Sequence, residues 1–214
     1  MPQLFSPSAN RLPLWIALSV GFVLAVAAAI TAYHLWGPKP YAPEQPIPFS
    51  HAIHMQKAGM NCIACHSSAL HSAKAGVPDS QSCLACHKHI LPDSPKLARL
   101  HASANPDSPN YTGEPFRWNK VNKLAAHVQF DHSAHVNRGV GCTTCHEGID
   151  TQERTTAIPD MSMGWCLSCH RSPYGIRPLE EISNPAYQDD PELSDRLIEQ
   201  WQIDPGTNCN TCHH

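Results

Sequence analysis

Large apolar side chains are scarce in this chain beyond its first forty or so residues, and charge is scarce throughout. Aromatic residues make up 7% and charged residues 15% of the 214. No sustained hydrophobic periodicity follows the amino-terminal stretch, and there is too little Leu, Ile and Phe to build the single core that this length ordinarily supports. That absence excludes an interior filled by side chains alone. A basic stripe is also missing, and the net charge is −3 with His neutral, which leaves nucleic-acid binding without support. What is abundant is Pro (20), Gly (11), Cys (10) and His (15). Proline and glycine at this level imply mostly irregular structure with short α-helices, tied together by cofactors or crosslinks.

One long apolar run stands apart. Residues 12–32 read LPLWIALSVGFVLAVAAAITA without a charge, enough helix to cross about 30 Å of hydrocarbon. Arg11 precedes the run, and Tyr33, His34 and Trp36 close it with interfacial aromatics. His34 belongs to that belt rather than to a ligand set. A cleaved signal peptide is the alternative, with a small-residue site near Ala25 to Ala27, but its apolar region is ordinarily shorter. The expectation is a cytoplasmic amino terminus (1–11), a transmembrane anchor helix (12–36) and a Pro-rich stalk (37–48), semi-rigid and extended. The bulk of the chain then lies on the outer, periplasmic face of the cytoplasmic membrane.

All ten cysteines fall into five Cys-x-x-Cys-His units: Cys62/Cys65/His66, Cys83/Cys86/His87, Cys142/Cys145/His146, Cys166/Cys169/His170 and Cys209/Cys212/His213. Two thiols three residues apart can reach the two vinyl groups of one haem, and the adjacent His then ligates the iron. Zinc ribbons and disulfides also use paired cysteines, but neither requires a His after every second Cys. The reading is five haem c groups with His66, His87, His146, His170 and His213 as proximal ligands. Five flat apolar rings supply the buried surface that the side chains lack.

Each iron has a second axial position. Phe49-Ser-His51-Ala-Ile-His54 precedes the first pair of motifs, and Phe130-Asp-His132-Ser-Ala-His135 precedes the second, 81 positions on. Val77-Pro-Asp79 likewise matches Ile158-Pro-Asp160. A two-haem module has been duplicated, giving module 1 at 49–90, a connector at 91–126, module 2 at 127–175, and a carboxy-terminal segment at 176–214 with the fifth haem. His51, His54, His132 and His135 are the expected distal ligands, because His at i and i+3 share one side of a turn yet diverge enough to reach different irons. His127 is the choice for the fifth. His71, His89, His101, His214, Met161 and Met163 are its rivals.

Between the modules, 91–117 is rich in Pro, Ser and Asn and reads as a surface connection. Near the end, 191–203 places Leu193, Leu197, Ile198 and Trp201 on one helical face, started by Asp190-Pro191 and stopped by Asp204-Pro-Gly206. That face is expected to pack on haem or on the rest of the domain, with a partner surface as the alternative.

The blocks FSHAIH…CIACH…AGVPDSQSCLACH and WNKVNKLAAHVQFDHSAHVNRGVGCTTCHEGID…MSMGWCLSCHRSP resemble the multihaem cytochromes related to class III cytochromes c. More specifically, the chain resembles the pentahaem cytochrome subunits of alternative complex III, a quinol-oxidising assembly, from the anchor through WQIDPGTNCNTCHH. The resemblance implies neighbours: an iron–sulfur subunit of molybdoenzyme-like ancestry, polytopic quinol-binding subunits and a monohaem cytochrome c. It also implies electron flow toward a periplasmic acceptor, a soluble cytochrome c or a blue-copper protein. Similar proteins often carry His where this chain has Asn122, a departure that favours His127 as the fifth ligand.

The leading expectation is therefore an electron-transfer subunit without catalysis of its own. The first alternative is a self-sufficient membrane-anchored quinol dehydrogenase, whose relatives carry a Met soon after the first motif, where this chain has SSALHS. The second is a multihaem enzyme with an open iron position, against which the surplus of His argues.

Overall fold

The computed structural model describes residues 12–37, 40–158 and 160–213. Arg11 and His214 lie outside the described residues, as does Pro159 of the repeated Pro-Asp element. The chain divides after Lys39 into two units.

The first unit holds helix α1 (Leu12–Trp36). Leu14, Phe22 and Leu24 are exposed along it, and it is long and apolar enough to cross a membrane. The hydroxyl of Thr31 donates to the Ala27 carbonyl at 2.8 Å, so this polar group is satisfied within the helix. Such a helix can serve as a membrane anchor.

The second unit, 40–214, is built from short helices and irregular chain; among the described residues no strands form, only two isolated antiparallel bridges. Its helices are α2 (Ser80–His87), α3 (Ala98–Ala104), α4 (His132–Val136), α5 (Cys142–Cys145), α6 (Met163–Arg171), α7 (Pro191–Gln200) and α8 (Cys209–Cys212). Nine apolar residues are buried in the described chain, far too few for a conventional core of this size. Seven of them form two small clusters, one of Ile47, Leu84, Leu100 and Ala104 and the other of Ala69, Val136 and Ile182. The deficit read from composition is thus real in three dimensions.

Two local outcomes differ in detail from the pattern. The stretch 91–117 is not wholly a surface connection, because α3 within it packs on α2 with Leu100 and Ala104 buried. Its few apolar residues, spaced four apart, gave too short a signal for a helix to stand out. Residues 40–48 of the Pro-rich stretch belong to this unit and pack within it: Ala157 N–H donates to the Tyr41 carbonyl, Asn119 bonds both Gln45 and Glu44, and Ile47 is buried. Helix α7 runs as expected, capped by the Asp190 carboxylate on the N–H groups of Glu192 and Leu193. Leu197 faces inward, and Trp201 packs against Gly139 on the rest of the domain.

Candidate haem-binding sites

Each Cys-x-x-Cys-His unit makes one helical turn. In 62–66, 142–146 and 209–213 the His N–H donates to the carbonyl of the first Cys at 2.9 Å, while 83–87 and 166–170 lie in α2 and α6. Four of the five turns are started by a side chain accepting from a backbone N–H: Asn61, Asp79, Ser162 and Asn208. This satisfies one of the orphan donors of a helix start. The two thiols thereby share a side with the His that follows them. None of the ten cysteines is in a disulfide, and among the described residues no three His, Cys, Asp or Glu side chains converge as a zinc site requires.

The imidazoles meet in pairs. His54 faces His87 and His135 faces His170, each with ring centroids 6.0 Å apart, and His127 faces His213 at 5.4 Å. Two imidazoles on opposite faces of one iron, each bound at about 2 Å, hold their centroids roughly 6 Å apart. The remaining four imidazoles show through their mutual electrostatics. Burial and then the neighbouring His66 push His51 down to about 4. Burial and then His132 lower His146. Three motif histidines thus face one histidine each, 87 with 54, 170 with 135 and 213 with 127, while His51, His66, His132 and His146 form one group in which His51 is nearest in effect to His66 and His146 to His132. The pair of His213 and His127 is held by backbone: Val128 bridges His213, and Gln129 N–H donates to the Cys212 carbonyl at 2.8 Å.

Hydrogen bonds also select the tautomer. Nδ1 of His54, His66, His87, His132, His135 and His170 lies 2.7–3.0 Å from the carbonyls of Ser50, Gly76, Ile90, Ala73, Asp131 and Gly206 respectively. A carbonyl only accepts, so Nδ1 carries the proton and Nε2 keeps the lone pair that a metal needs. His51 Nδ1 lies 3.2 Å from the Thr155 hydroxyl, which can donate or accept and so serves either tautomer. His101, one of the rivals, is wired the other way. The Asn105 amide, oriented by accepting from Asp107 N–H, donates to His101 Nδ1 at 3.2 Å. Its Nε2 is buried by protein atoms without a partner, so no iron can reach it. His71, His89 and Met163 are exposed and Met161 is half-buried.

The duplication repeats atom for atom around the distal His pairs. Phe49 stacks on His54 at 4.5 Å and meets His51 edge-on at 4.9 Å, and Phe130 does the same to His135 at 4.6 Å and His132 at 4.8 Å. The Ser50 hydroxyl accepts from Ile53 N–H where Asp131 accepts from Ala134 N–H. The caps differ in reach, and the first segment runs as a π-helical turn (Ile53–Lys57) while the second is α4. The modules brace each other's ligands: Ala73 of the first holds His132, and Thr155 of the second contacts His51.

Neighbouring motifs follow one another in space. Cys62 Sγ donates to the Ser183 carbonyl at 3.4 Å, and Cys142 N–H donates to Ile182, one residue before. Cys62 and Cys142 are neighbours, and the nearby thiol, ahead of burial, pushes Cys62 up. Burial, then Cys86, raises Cys65; burial, then Cys169, raises Cys145 to about 11; burial, then Cys212, raises Cys166. The motifs therefore run 83–87, 62–66, 142–146, 166–170, 209–213. Sequence reasoning missed the supporting set: Phe49 and Phe130, visible in the repeat, and Thr155, Ser183 and Arg177, which carry no local signal.

Comparisons with known proteins supply the family. Residues 47–102 and 128–214, more than half of the chain, match the model of a family described as cytochrome c7 and related cytochrome c. A relative from Nitratidesulfovibrio vulgaris, "Menaquinone reductase, multiheme cytochrome c subunit", is 36% identical over 104 residues. That alignment covers 49% of this chain and 46% of the relative, so the chain spans about half the length of the curated relative it matches. With motif turns, facing imidazoles and the family match together, the chain belongs to the family of cytochrome c7 and related cytochromes c, and binds covalent haem c.

Proposed function

We propose that the chain carries five haem c groups, one per motif, and serves as the electron-transfer subunit of a membrane quinone-linked complex of the alternative complex III type. The single observation that supports this reading is the meeting of motif histidines with histidines from elsewhere in the chain, face to face at His87, His170 and His213 and as close neighbours at His66 and His146. In each site the two cysteines form the thioethers, and the motif His (His66, His87, His146, His170, His213) is the proximal ligand. The distal ligands are His51, His54, His132, His135 and His127, in the pairing given above. Bound haem supplies a one-electron iron couple. The histidines named above would hold the iron between two imidazoles, with the rings oriented through Nδ1 where a carbonyl accepts from it, which suits electron transfer rather than substrate chemistry.

The domain boundaries follow: anchor 12–36, stalk 37–48, module 1 at 49–90, connector 91–126, module 2 at 127–175, and the fifth site within 176–214. The haem domain lies on the periplasmic face with the amino terminus inside. Its partners are an iron–sulfur subunit of molybdoenzyme-like ancestry, polytopic quinol-binding subunits, a monohaem cytochrome c and a periplasmic acceptor. The order of motifs makes 83–87 and 209–213 the two ends, one for electrons entering and one for electrons leaving. A second reading, favoured by the menaquinone reductase relative, keeps the same subunit and reverses the flow, toward quinone.

Pyridine haemochrome assay and peptide mass spectrometry are expected to give five haems per chain, one on each motif; four or fewer refutes the count. Gentle detergent extraction is expected to recover the chain with membrane subunits. The recovered complex is expected to oxidise quinol with a periplasmic acceptor, whereas net quinone reduction selects the second reading. The chain alone is expected to do neither.

A further inference from the structure

Arg177 is the largest side chain fully buried in the described protein, at 1% exposure, and no role in holding haem accounts for it. Its backbone N–H donates to the Gly139 carbonyl at 2.9 Å, and Ile176 bridges Val140. This lays the guanidinium on the turn that opens the 142–146 motif. Gly141, immediately before Cys142, makes the room: a Cβ there would overlap Cζ and Nε of Arg177. Nη1 reaches the hydroxyl of Thr143, between the two motif cysteines, at 3.4 Å. On the outer side Nη2 pairs with Asp189 at 2.8 Å, and the guanidinium lies 4.8 Å from the Tyr187 ring centroid. Nε is buried by protein atoms and has no acceptor.

A buried guanidinium with one carboxylate and an orphan N–H is incompletely compensated. Its nearest redox neighbour is the third motif, the middle of the five in spatial order. The arrangement is asymmetric, because the cation lies on the motif turn while Asp189 is 55% exposed on the far side. A fixed positive charge favours the form of a neighbouring centre that has gained an electron, and the effect is larger where water is excluded.

We infer that Arg177 is an electrostatic tuning residue that raises the reduction potential of the haem held at 142–146, with Asp189 as the opposing charge. The inference rests on the reading that this motif carries haem. Its function is to make the middle site a favoured position for an electron between the two ends.

The test is a spectroelectrochemical titration of the full chain in detergent, with peptide mass spectrometry to locate haem. In Asp189→Asn, one of the five transitions moves to higher potential; in Arg177→Gln, one moves lower, and Arg177→Lys restores most of it. A tenfold change in that one-electron equilibrium, about 59 mV, is the scale expected. A salt bridge that only clamped the loop would respond alike to the loss of either partner, so shifts of the same sign, or none, overturn the inference. Asp189 is half-exposed, so Asp189→Asn decides the matter even if Arg177→Gln does not fold. Haem absent from Cys142 and Cys145 in the wild type would instead overturn the functional reading, whereas haem present without a shift overturns this inference alone.

Discussion

At the scale of single residues, the partner of Nδ1 sets six of the ten proposed ligand histidines apart from His101. A carbonyl there pins the proton and leaves Nε2 free for iron, as at His54 and His135; an amide donor there, as at His101, does the reverse. This gives a pair of opposed expectations. His54→Ala, His135→Ala or His127→Ala should each convert about one fifth of the ferric iron from low to high spin in electron paramagnetic resonance, given the one-haem-per-motif reading. His101→Gln should leave the spin state unchanged. The Phe rings against the distal imidazoles act by packing and orientation. Phe130→Ala is expected to cost about 0.5–1.5 kcal/mol beyond its lost burial, read as a lower thermal midpoint with all haem retained.

At the scale of elements, helices this short have little intrinsic stability, since forming the first turn is the unfavourable step. Four of the five motif turns carry a side-chain cap at their start, and attachment to haem would hold them further. Removing a cap therefore has a measurable but modest effect. Ser162→Ala releases the Trp165 N–H at the start of α6 and is expected to cost about 1 kcal/mol, visible in chemical denaturation. Gly139 is a harsher case. It adopts φ +79° and a Cβ would come within 2.6 Å of the Arg177 carbonyl and 2.7 Å of the Trp201 ring. Gly139→Ala is expected to lose more than about 1 kcal/mol, because the obstacle on one side is backbone. Helix α3 shows why local pattern falls short here: its burial depends on α2 across the fold and not on its own periodicity.

At the scale of the whole molecule, the two modules are interlocked and the fifth site is an addition. Bracing of His132 by Ala73, the His51–Thr155 contact and the Cys62–Cys142 contact tie modules 1 and 2 together at their first motifs. The fifth motif hangs on the 127–129 segment and on the His170–Gly206 bond. A Cys209→Ser/Cys212→Ser variant should thus keep four low-spin haems by haemochrome assay. A Cys62→Ser/Cys65→Ser variant should lose more than one, because the 142–146 site loses the neighbour it packs on.

The motifs, the duplication and the shortage of a side-chain core were all legible in the chain itself, because haem attachment demands a contiguous pattern and a repeat leaves the same residues at the same offset. The apolar helix was legible for a similar reason, since spanning length and absence of charge are local properties. Which distal His faces which motif, the spatial order of the motifs, the carbonyls behind each Nδ1 and the burial of Arg177 came only from the tertiary structure. Apart from the carbonyls of Ser50, Ile90 and Asp131, which lie three or four positions from their histidines, those depend on contacts between residues 10 to more than 120 positions apart, made largely by backbone groups that every residue carries, and no local pattern records where such groups will meet.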